Sequence, residues 1–253
     1  MINTHDKQHR VLLQRIAYRA MIERGLLPDF SPQALAELDE IHGSVTRATE
    51  PTRDLGHLIW CSIDNDDSRD LDQLTVAEAL PDDSAKVLVA IADVDALVRK
   101  GSAIDDHARQ NTTSVYTPAK IFPMLPEKLS TDLTSLNYAS ERKAMVIEMV
   151  IAEDGSVLHS DVYVALVRNR AKLAYNSVAG WLEGKGPMPP ALSEVDDLAE
   201  NLRFQDRVAQ RMKAFRHVHG ALTLETIEAR LMFDDGELKD VEAERKNKAK
   251  DII

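Results

Sequence analysis

Residues 61–74, CSIDNDDSRDLDQL, place five aspartates, Asp64, Asp66, Asp67, Asp70 and Asp72, within nine positions, directly after an apolar run. Asp70 and Asp72 are two apart, so in an extended segment they project to the same side, and Asp64, at the far end of a short loop, can fold back beside them. Three converging carboxylates repel and raise one another's pKa values, and a bound divalent ion removes that cost. An acidic turn by itself needs no ion, because Asp and Asn favour turns. The spacing therefore singles out Asp64, Asp70 and Asp72, and leaves Asp66 and Asp67 as solvated loop residues.

The chemistry follows from which ion suits the pattern. A calcium loop starting at Asp64 fails: its sixth position is Arg69 where a sharp turn needs Gly, and its twelfth is Thr75 where a bidentate Glu is needed. Magnesium suits the set better, since it takes hard oxygen ligands, retains waters and is held by a few carboxylates together with a substrate phosphate. An acidic pocket of this kind implies an anionic substrate held through metal.

The elements around the aspartates read as a sheet followed by helices. HLIWCSI, QLTVAEAL, KVLVAIADV, KAMVIEMVIA and SVLHSDVYVALVR are rich in β-branched residues, and a turn at EDGS joins the last two. Before them, residues 6–25 carry apolar side chains at helical spacing up to Gly25, and SPQALAELDEI opens with an N-cap Ser31 and Pro32 at the first helical position. RATEPTRDLGH reads as a connector. Helices are expected at about 102–110, 171–183 and 193–217, with the Gly/Pro-rich EGKGPMPPALS between the last two. The fold class is α+β: a mixed, largely antiparallel sheet packed with helices, after a small helical region at 1–55.

With 253 residues the chain is long enough for a substantial core. No stretch approaches the roughly 18 unbroken apolar residues of a membrane helix, and the first residues lack a signal-peptide core, so a cytoplasmic protein with no membrane association is expected. The single cysteine, Cys61, excludes an internal disulfide and reads as a small core residue. The net charge of −11 argues against nucleic acid at first sight, but residues 168–253 carry 15 basic and 15 acidic side chains, so the whole excess lies in residues 1–167. That segregation leaves room for a local basic track. Arg203, Arg207 and Arg211 form one stripe on the last expected helix, either as a solvated face or as a face that follows phosphates.

IDNDDSRDLDQL resembles the aspartate signature of the ribonuclease II and ribonuclease R family, I-D-(five residues)-D-[LM]-D-D-A. Three further blocks are similar in the right order: VAIADVDALVRKGSAIDDHARQNTTSVYTPAKIFPMLPEKLSTDLTSLN, RNRAKLAYNSVAGWL and GALTLETIEARLMFDDGELKDV. The resemblance covers roughly residues 60–250 and implies an RNB-type catalytic domain over 56–253. The implied activity is Mg²⁺-dependent 3′-to-5′ hydrolysis of single-stranded RNA into nucleoside 5′-monophosphates, with the RNA end in a deep channel.

Carried over position by position, the metal and catalytic carboxylates fall on Asp64, Asp70 and Asp72. The fourth metal position, usually Asp, falls on Gln73, whose amide oxygen coordinates without adding negative charge. Tyr116 and Tyr175 match tyrosines near the RNA end, and a clamp position usually held by Phe falls on Leu224, which packs against a base but offers no π face. Arg168, Arg170 and Lys172, at alternate positions before Tyr175, are expected to contact backbone phosphates. Asp93 is a candidate to support the carboxylates from behind.

The resemblance also implies what lies outside these residues. Family members begin with barrel-type oligonucleotide-binding domains, where this chain has only the helical region, for which a helix-turn-helix-like form is the expectation. After ERKNKAKDII the family continues with a long helix, a Glu and an Arg near the scissile phosphate, and a C-terminal barrel, so a missing C-terminal segment of the same protein is an expected partner. A non-catalytic RNA-binding or partner-binding protein on a degraded catalytic domain is the alternative, motivated by Gln73 and Leu224.

Overall fold

In the computed structural model, the described residues are 4–43, 52–117, 119–222, 228–234, 237–244 and 246–253. The elements run α1 (Thr4–Glu23), α2 (Pro32–Glu40), β1 (Arg53–Asp54), β2 (Cys61–Asp64), β3 (Gln73–Ala79), β4 (Ala85–Ala92), α3 (Ala103–Asn111), β5 (Val115–Tyr116), β6 (Ile121–Phe122), β7 (Glu141–Ile151), β8 (Val157–Arg168), β9 (Ala171–Ala174), α4 (Tyr175–Leu182), α5 (Pro190–Ser193), α6 (Leu198–Val218), β10 (Glu228–Asp234), β11 (Glu237–Glu244) and α7 (Lys248–Ile252). They form two compact units, each discontinuous in sequence.

The larger unit comprises 44–96, 131–225 and 246–253 and is built on a seven-stranded sheet in the order β1-β8-β7-β4-β3-β2-β9. The neighbours from β8 to β2 pair antiparallel, while β1 joins β8 and β9 joins β2 in parallel. The fold is thus the expected mixed, mostly antiparallel sheet with helices. Strand alternation sends Leu74, Val76, Leu88, Ala90, Val146 and Val167 to one face, where they pack with Trp60 and Leu136. At the β2–β9 end, Cys61, Ile63, Ala171 and Leu173 pack against Val178, Leu192, Leu198 and Leu202 from the helices. Trp60 is fully buried, and its indole N–H donates to the Leu55 carbonyl at 2.8 Å.

Two expectations are corrected here. Residues 171–174 are a strand, not the first turn of a helix: Ala171 and Leu173 are buried while Lys172 is exposed, a period of two, and the segment pairs with β2 before α4 begins at Tyr175. The helix expected from 193 begins at Leu198, because Asp197 takes the left-handed conformation (φ 62°) and separates it from α5. Part of the expected connector also enters the sheet as β1.

The smaller unit comprises 1–43, 97–130 and 226–245. Ser31 caps α2 as expected, accepting from the Ala34 N–H at 3.1 Å. The N-terminal hairpin is tied to α3 by polar contacts: the Glu37 carboxylate accepts the Ala103 and Ile104 N–H groups at 2.9 and 3.0 Å. These bonds hold its pKa below the usual range and satisfy donors that a helix start leaves open. At the other end of α3, Asn111 exchanges two hydrogen bonds with the Leu27 backbone, at 2.7 and 2.8 Å. Among the described residues, no helix is long and apolar enough to cross a membrane.

The β7–β8 turn has no room for a side chain. Gly155 adopts φ +90°, and a Cβ there would stand 2.4 Å from the Arg211 carbonyl oxygen on α6. Gly155→Ala is expected to lower the unfolding free energy by about 2–4 kcal/mol, combining backbone strain with overpacking. Urea denaturation measures this, and a change below about 0.5 kcal/mol contradicts the close approach.

Candidate active site

The aspartate loop joins β2 to β3. The pairing of Cys61 with Thr75 sets an antiparallel register, and continuing it brings Asp64, the last residue of β2, alongside Asp72, just before β3. The ladder reaches Asp72 from the other side as well, since its carbonyl accepts the Ala92 N–H at 2.9 Å. Asp64 is also level with Ala174 across the parallel β2–β9 pair, which sets it beside Tyr175 at the start of α4.

Buried groups hold the loop in place. Leu71 is buried at 2 % exposure; its N–H donates to Ser135 Oγ at 3.0 Å and its carbonyl accepts the Leu136 N–H at 2.9 Å. Ser135 Oγ in turn donates to the Arg69 carbonyl at 3.2 Å. Arg142 fixes that strap, donating from Nε to the Ser135 carbonyl at 3.1 Å and from Nη2 to the Asp132 carbonyl at 3.3 Å. Asn169, 1 % exposed, donates from Nδ2 to Ser62 Oγ at 3.1 Å and to the Leu136 carbonyl at 2.9 Å, while its Oδ1 accepts the Ala171 N–H at 3.1 Å. One amide thereby links β2, the strap and β9.

The electrostatics match a confined anionic cluster. The Asp72 carboxyl is pushed up from 3.8 to about 6, first by burial and then by the negative charges of Asp70 and Asp64. Asp64 is raised chiefly by burial, with Asp70 adding to the shift; the Asn65 N–H, the Ser68 hydroxyl and the Lys172 charge oppose it. Asp72 is nonetheless open to solvent on one side, Asp64 and Asp70 are half-buried, and Asp66 and Asp67 are exposed. Protein mass packed behind Asp72 disfavours its charge while water still reaches the carboxyl, so screening removes part of the effect.

Among the described residues, no three His, Cys, Asp or Glu side chains stand at separations that close a metal shell by themselves. The donor set still fits Mg²⁺ by its chemistry: hard oxygens only, three mutually coupled carboxylates, and an ion that keeps several waters and needs only one or two direct carboxylates. Gln73 opens β3 opposite Ile91 and is half-buried; the coupling runs through the three aspartates.

The other sequence-derived residues divide. In the larger unit, Lys172 Nζ donates to the Ser68 carbonyl at 2.5 Å, bracing the loop and placing a cation near Asp64. Arg170 Nη2 donates to the Gly56 carbonyl at 2.5 Å, and Arg168 ends β8 opposite Glu141. Tyr175 packs at the edge of the core, with the Lys250 ammonium 5.7 Å from its ring centroid. Tyr116 belongs to the smaller unit, on β5, and is 66 % exposed. Leu224 lies outside the described residues. Asp93 pairs with Lys143 at 3.8 Å and accepts the Ala96 N–H at 3.2 Å, a local structural role. Of the arginine stripe, Arg203 is bound to Glu200 at 2.6 Å and Arg211 to the Asp83 carbonyl at 2.8 Å. Cys61 is fully buried and its thiol is pushed up to about 12, so it is no nucleophile.

Sequence reasoning missed the supporting groups Ser135, Arg142 and Asn169. Each is a polar residue whose bonds join separate segments around the loop, and only the neighbourhood of Ser135 and Asn169 within recognisable blocks hinted at a role.

The RNB domain family model matches residues 52–253, and the chain belongs to that family. It is 35% identical over 203 residues to Exoribonuclease 2 of Escherichia fergusonii, covering 79% of this chain and 31% of that protein. The chain thus spans about a third of the length of the curated relatives it matches. Mycoplasma genitalium RNase R, solved in complex with ribose-methylated single-stranded RNA, superposes with a TM-score of 0.82 at 24% identity, covering 92% of this chain and 36% of that one. Yeast Ssd1, described as a pseudonuclease, superposes with a TM-score of 0.53 at 14% identity, covering 66% of this chain and 20% of that one.

The raised Asp72 carboxyl has a measurable consequence. Its folded value of about 6 exceeds the ordinary 3.8, so the folded state binds more protons than the unfolded chain between those pH values, and stability falls as pH rises through them. Two pKa units correspond to ~3 kcal/mol; screening at this exposed side chain reduces the effect to about 1 kcal/mol. Asp72→Asn is therefore expected to raise the melting temperature by about 2–4 °C at pH 7 and by little at pH 4. Calorimetry over that pH range measures it, and equal melting temperatures at pH 7 contradict the coupling.

Proposed function

We propose that this chain is the metal-site portion of a 3′-to-5′ exoribonuclease that hydrolyses single-stranded RNA into nucleoside 5′-monophosphates in a Mg²⁺-dependent reaction. The observation that carries the reading is the coupled trio Asp64, Asp70 and Asp72, at the β2–β3 connection of a chain in the RNB domain family. Asp64, Asp70 and Asp72, with Gln73 beside them, would hold the ion. Bound Mg²⁺ supplies polarisation of the terminal phosphodiester and a lowered pKa for the attacking water.

The protein's own groups do the rest. Water oxygen bonds to phosphorus as the P–O3′ bond breaks; the mononucleotide leaves with the 5′-phosphate, and the shortened RNA retains a 3′-hydroxyl. The Asp72 carboxyl, raised by burial and by the charges of Asp70 and Asp64, would be drawn back down by the cation and would serve as an ionised ligand. Tyr175, next to Asp64 across the β2–β9 register, offers a ring to a terminal base. Tyr116 and Leu224 are further base contacts in this reading. Arg168, Arg170 and Lys172 direct the backbone; Arg170 and Lys172 each spend one donor on a carbonyl, and guanidinium and ammonium groups carry five and three donors. Localisation in the cytoplasm accords with an RNA substrate. The helices Thr4–Glu23 and Pro32–Glu40 precede the catalytic portion at 56–253 in this reading, and the family's remaining catalytic groups would come from a C-terminal segment of the same protein.

A second reading, an RNA- or partner-binding protein without catalysis, is favoured by one observation, the neutral Gln73 at a position where the family signature carries Asp. The fold itself is compatible with it, as the likeness to Ssd1 illustrates.

The test uses 5′-labelled single-stranded RNA with Mg²⁺ and compares the 253-residue chain, the same chain joined to the downstream segment its gene encodes, and Asp72→Asn in that longer protein. For the longer protein, stepwise shortening from the 3′ end is expected, slowed by about 10²–10³-fold in Asp72→Asn and abolished by EDTA. Tight binding without cleavage by either form of the longer protein sinks the enzyme reading. If Gln73 attenuates the site, Gln73→Asp lowers the Mg²⁺ concentration at half-maximal rate by about tenfold; an unchanged value in an active enzyme shows the amide to be a tolerated variant.

A further inference from the structure

Helices α1 and α2 lie ahead of residue 52, where the RNB family match begins, yet in the smaller unit they are bonded to residues 97–130 of the matched segment. Part of that bonding secures α3, as described for Glu37 and Asn111; the Gln110 amide adds to it by donating to the Gly25 carbonyl at 2.6 Å. Another part reaches the β5–β6 hairpin, which carries Tyr116. Gln14 on α1 donates from Nε2 to the Ala119 carbonyl in the hairpin turn at 3.1 Å. The Asp29 carboxylate, in the loop after α1, accepts the Tyr18 hydroxyl at 2.5 Å and stands 3.9 Å from the Lys120 ammonium. That ammonium also lies 5.7 Å from the Tyr18 ring centroid and 4.7 Å from that of Phe122.

The hairpin needs such support. It has two residue pairs, Val115 with Phe122 and Tyr116 with Ile121, and a two-stranded ribbon this short is not stable alone. Thr117 closes its turn from within: the hydroxyl donates to the Lys120 carbonyl at 2.5 Å and accepts the Lys120 N–H at 3.1 Å. At the open end the Met124 N–H donates to Ser114 Oγ at 3.0 Å. These bonds fix the shape of the hairpin, while its direction comes from anchored neighbours. Phe122 is 1 % exposed and Ala119 6 %, whereas Tyr116 is 66 % exposed. An exposed ring that is already held in place loses little freedom when a base stacks on it, so anchoring converts to affinity.

We propose that Gln14, Tyr18 and Asp29 are positioning residues for Tyr116: α1 and the loop after it hold the hairpin turn so that the exposed ring is presented ready to an RNA base. The inference rests on the reading of Tyr116 as a base contact and adds to it the residues that aim the ring. None of the three touches RNA. Each acts through the turn, Gln14 through the Ala119 carbonyl, and Tyr18 and Asp29 through Lys120. Residues ahead of the RNB match thus set RNA affinity and leave the chemistry at the aspartate loop unchanged.

Fluorescence anisotropy tests it by measuring Kd for a 5′-labelled single-stranded RNA on the longer protein that includes the downstream segment. EDTA is present, so the result does not depend on whether the RNA is cut. Tyr116→Ala is expected to weaken binding by about tenfold. Gln14→Leu, which keeps the volume and removes the donor, and Asp29→Ala, which releases Tyr18 and Lys120 together, are each expected to weaken it by about threefold or more. Both are expected to keep the native far-ultraviolet spectrum, since the contacts they remove are part-buried or exposed. In the Tyr116→Ala background the same two changes are expected to alter Kd by less than about twofold, because the ring they aim is gone. Equal weakening in both backgrounds marks a merely structural role and overturns the proposal. Wild-type affinity in Gln14→Leu or in Asp29→Ala, with Tyr116→Ala weakened, also overturns it and leaves Tyr116 standing as a base contact. Wild-type affinity in Tyr116→Ala removes the base contact itself, and the proposal with it.

Discussion

Everything in the larger unit is arranged around a confinement of like charge. The antiparallel register of β2 and β3 carries Asp64 and Asp72 to neighbouring strand ends, and Asp70 lies on the loop between them. Left to electrostatics alone, such a loop would open into solvent. It is kept closed by groups with no net charge: the Leu71 side chain in the core, the Ser135 hydroxyl and the Leu136 N–H. The repulsion is thus balanced by burial and backbone hydrogen bonds, and the Asp72 carboxyl is raised first by that burial and then by the charges of Asp70 and Asp64.

The same interactions explain why the site sits where it does in the sheet. Asn169 spans β2, the strap at Leu136 and β9 with three hydrogen bonds, so the parallel strand that delivers Lys172 and Tyr175 is locked to the strand that delivers Asp64. Lys172 then closes the arrangement from outside by holding the Ser68 carbonyl. Positive charge is thereby placed near Asp64, where it opposes the rise of that carboxyl. A site of this kind trades stability for function, as buried or crowded ionisable groups at reactive centres commonly do.

Much of this was legible in the sequence because it is written in short-range pattern. The β-branched runs that became β3, β4, β7 and β8, the Ser31–Pro32 helix start, and the period-two relation of Asp70 and Asp72 depend only on neighbours. The errors fell where tertiary contacts override local pattern. KLAYNSVAGWL reads as continuous helix, yet Ala171 and Leu173 gain more by pairing with β2 and entering the core than by adding a helical turn. Asp197, in the left-handed region, cuts α6 short of the expected start without a glycine to announce it. Ser135, Arg142 and Asn169 were invisible as a group because their bonds run to Leu71 and Arg69, to the carbonyls of Ser135 and Asp132, and to Ser62 and Leu136, contacts that only the folded chain brings together. For Arg170 and Lys172, sequence suggested ligand contacts, and the structure adds carbonyl partners that such reasoning has no means to foresee.

The central claim is that Asp64, Asp70 and Asp72 form a divalent-cation site, with Asp66 and Asp67 outside it. Mn²⁺ titrated into ¹⁵N-labelled protein tests this directly through distance-dependent broadening. The account predicts loss of the Asp64, Asp70 and Asp72 amide signals at substoichiometric Mn²⁺, reversal by excess Mg²⁺, and no such loss in Asp72→Asn. Broadening centred on Asp66 and Asp67, or spread evenly over the acidic surface, would contradict it.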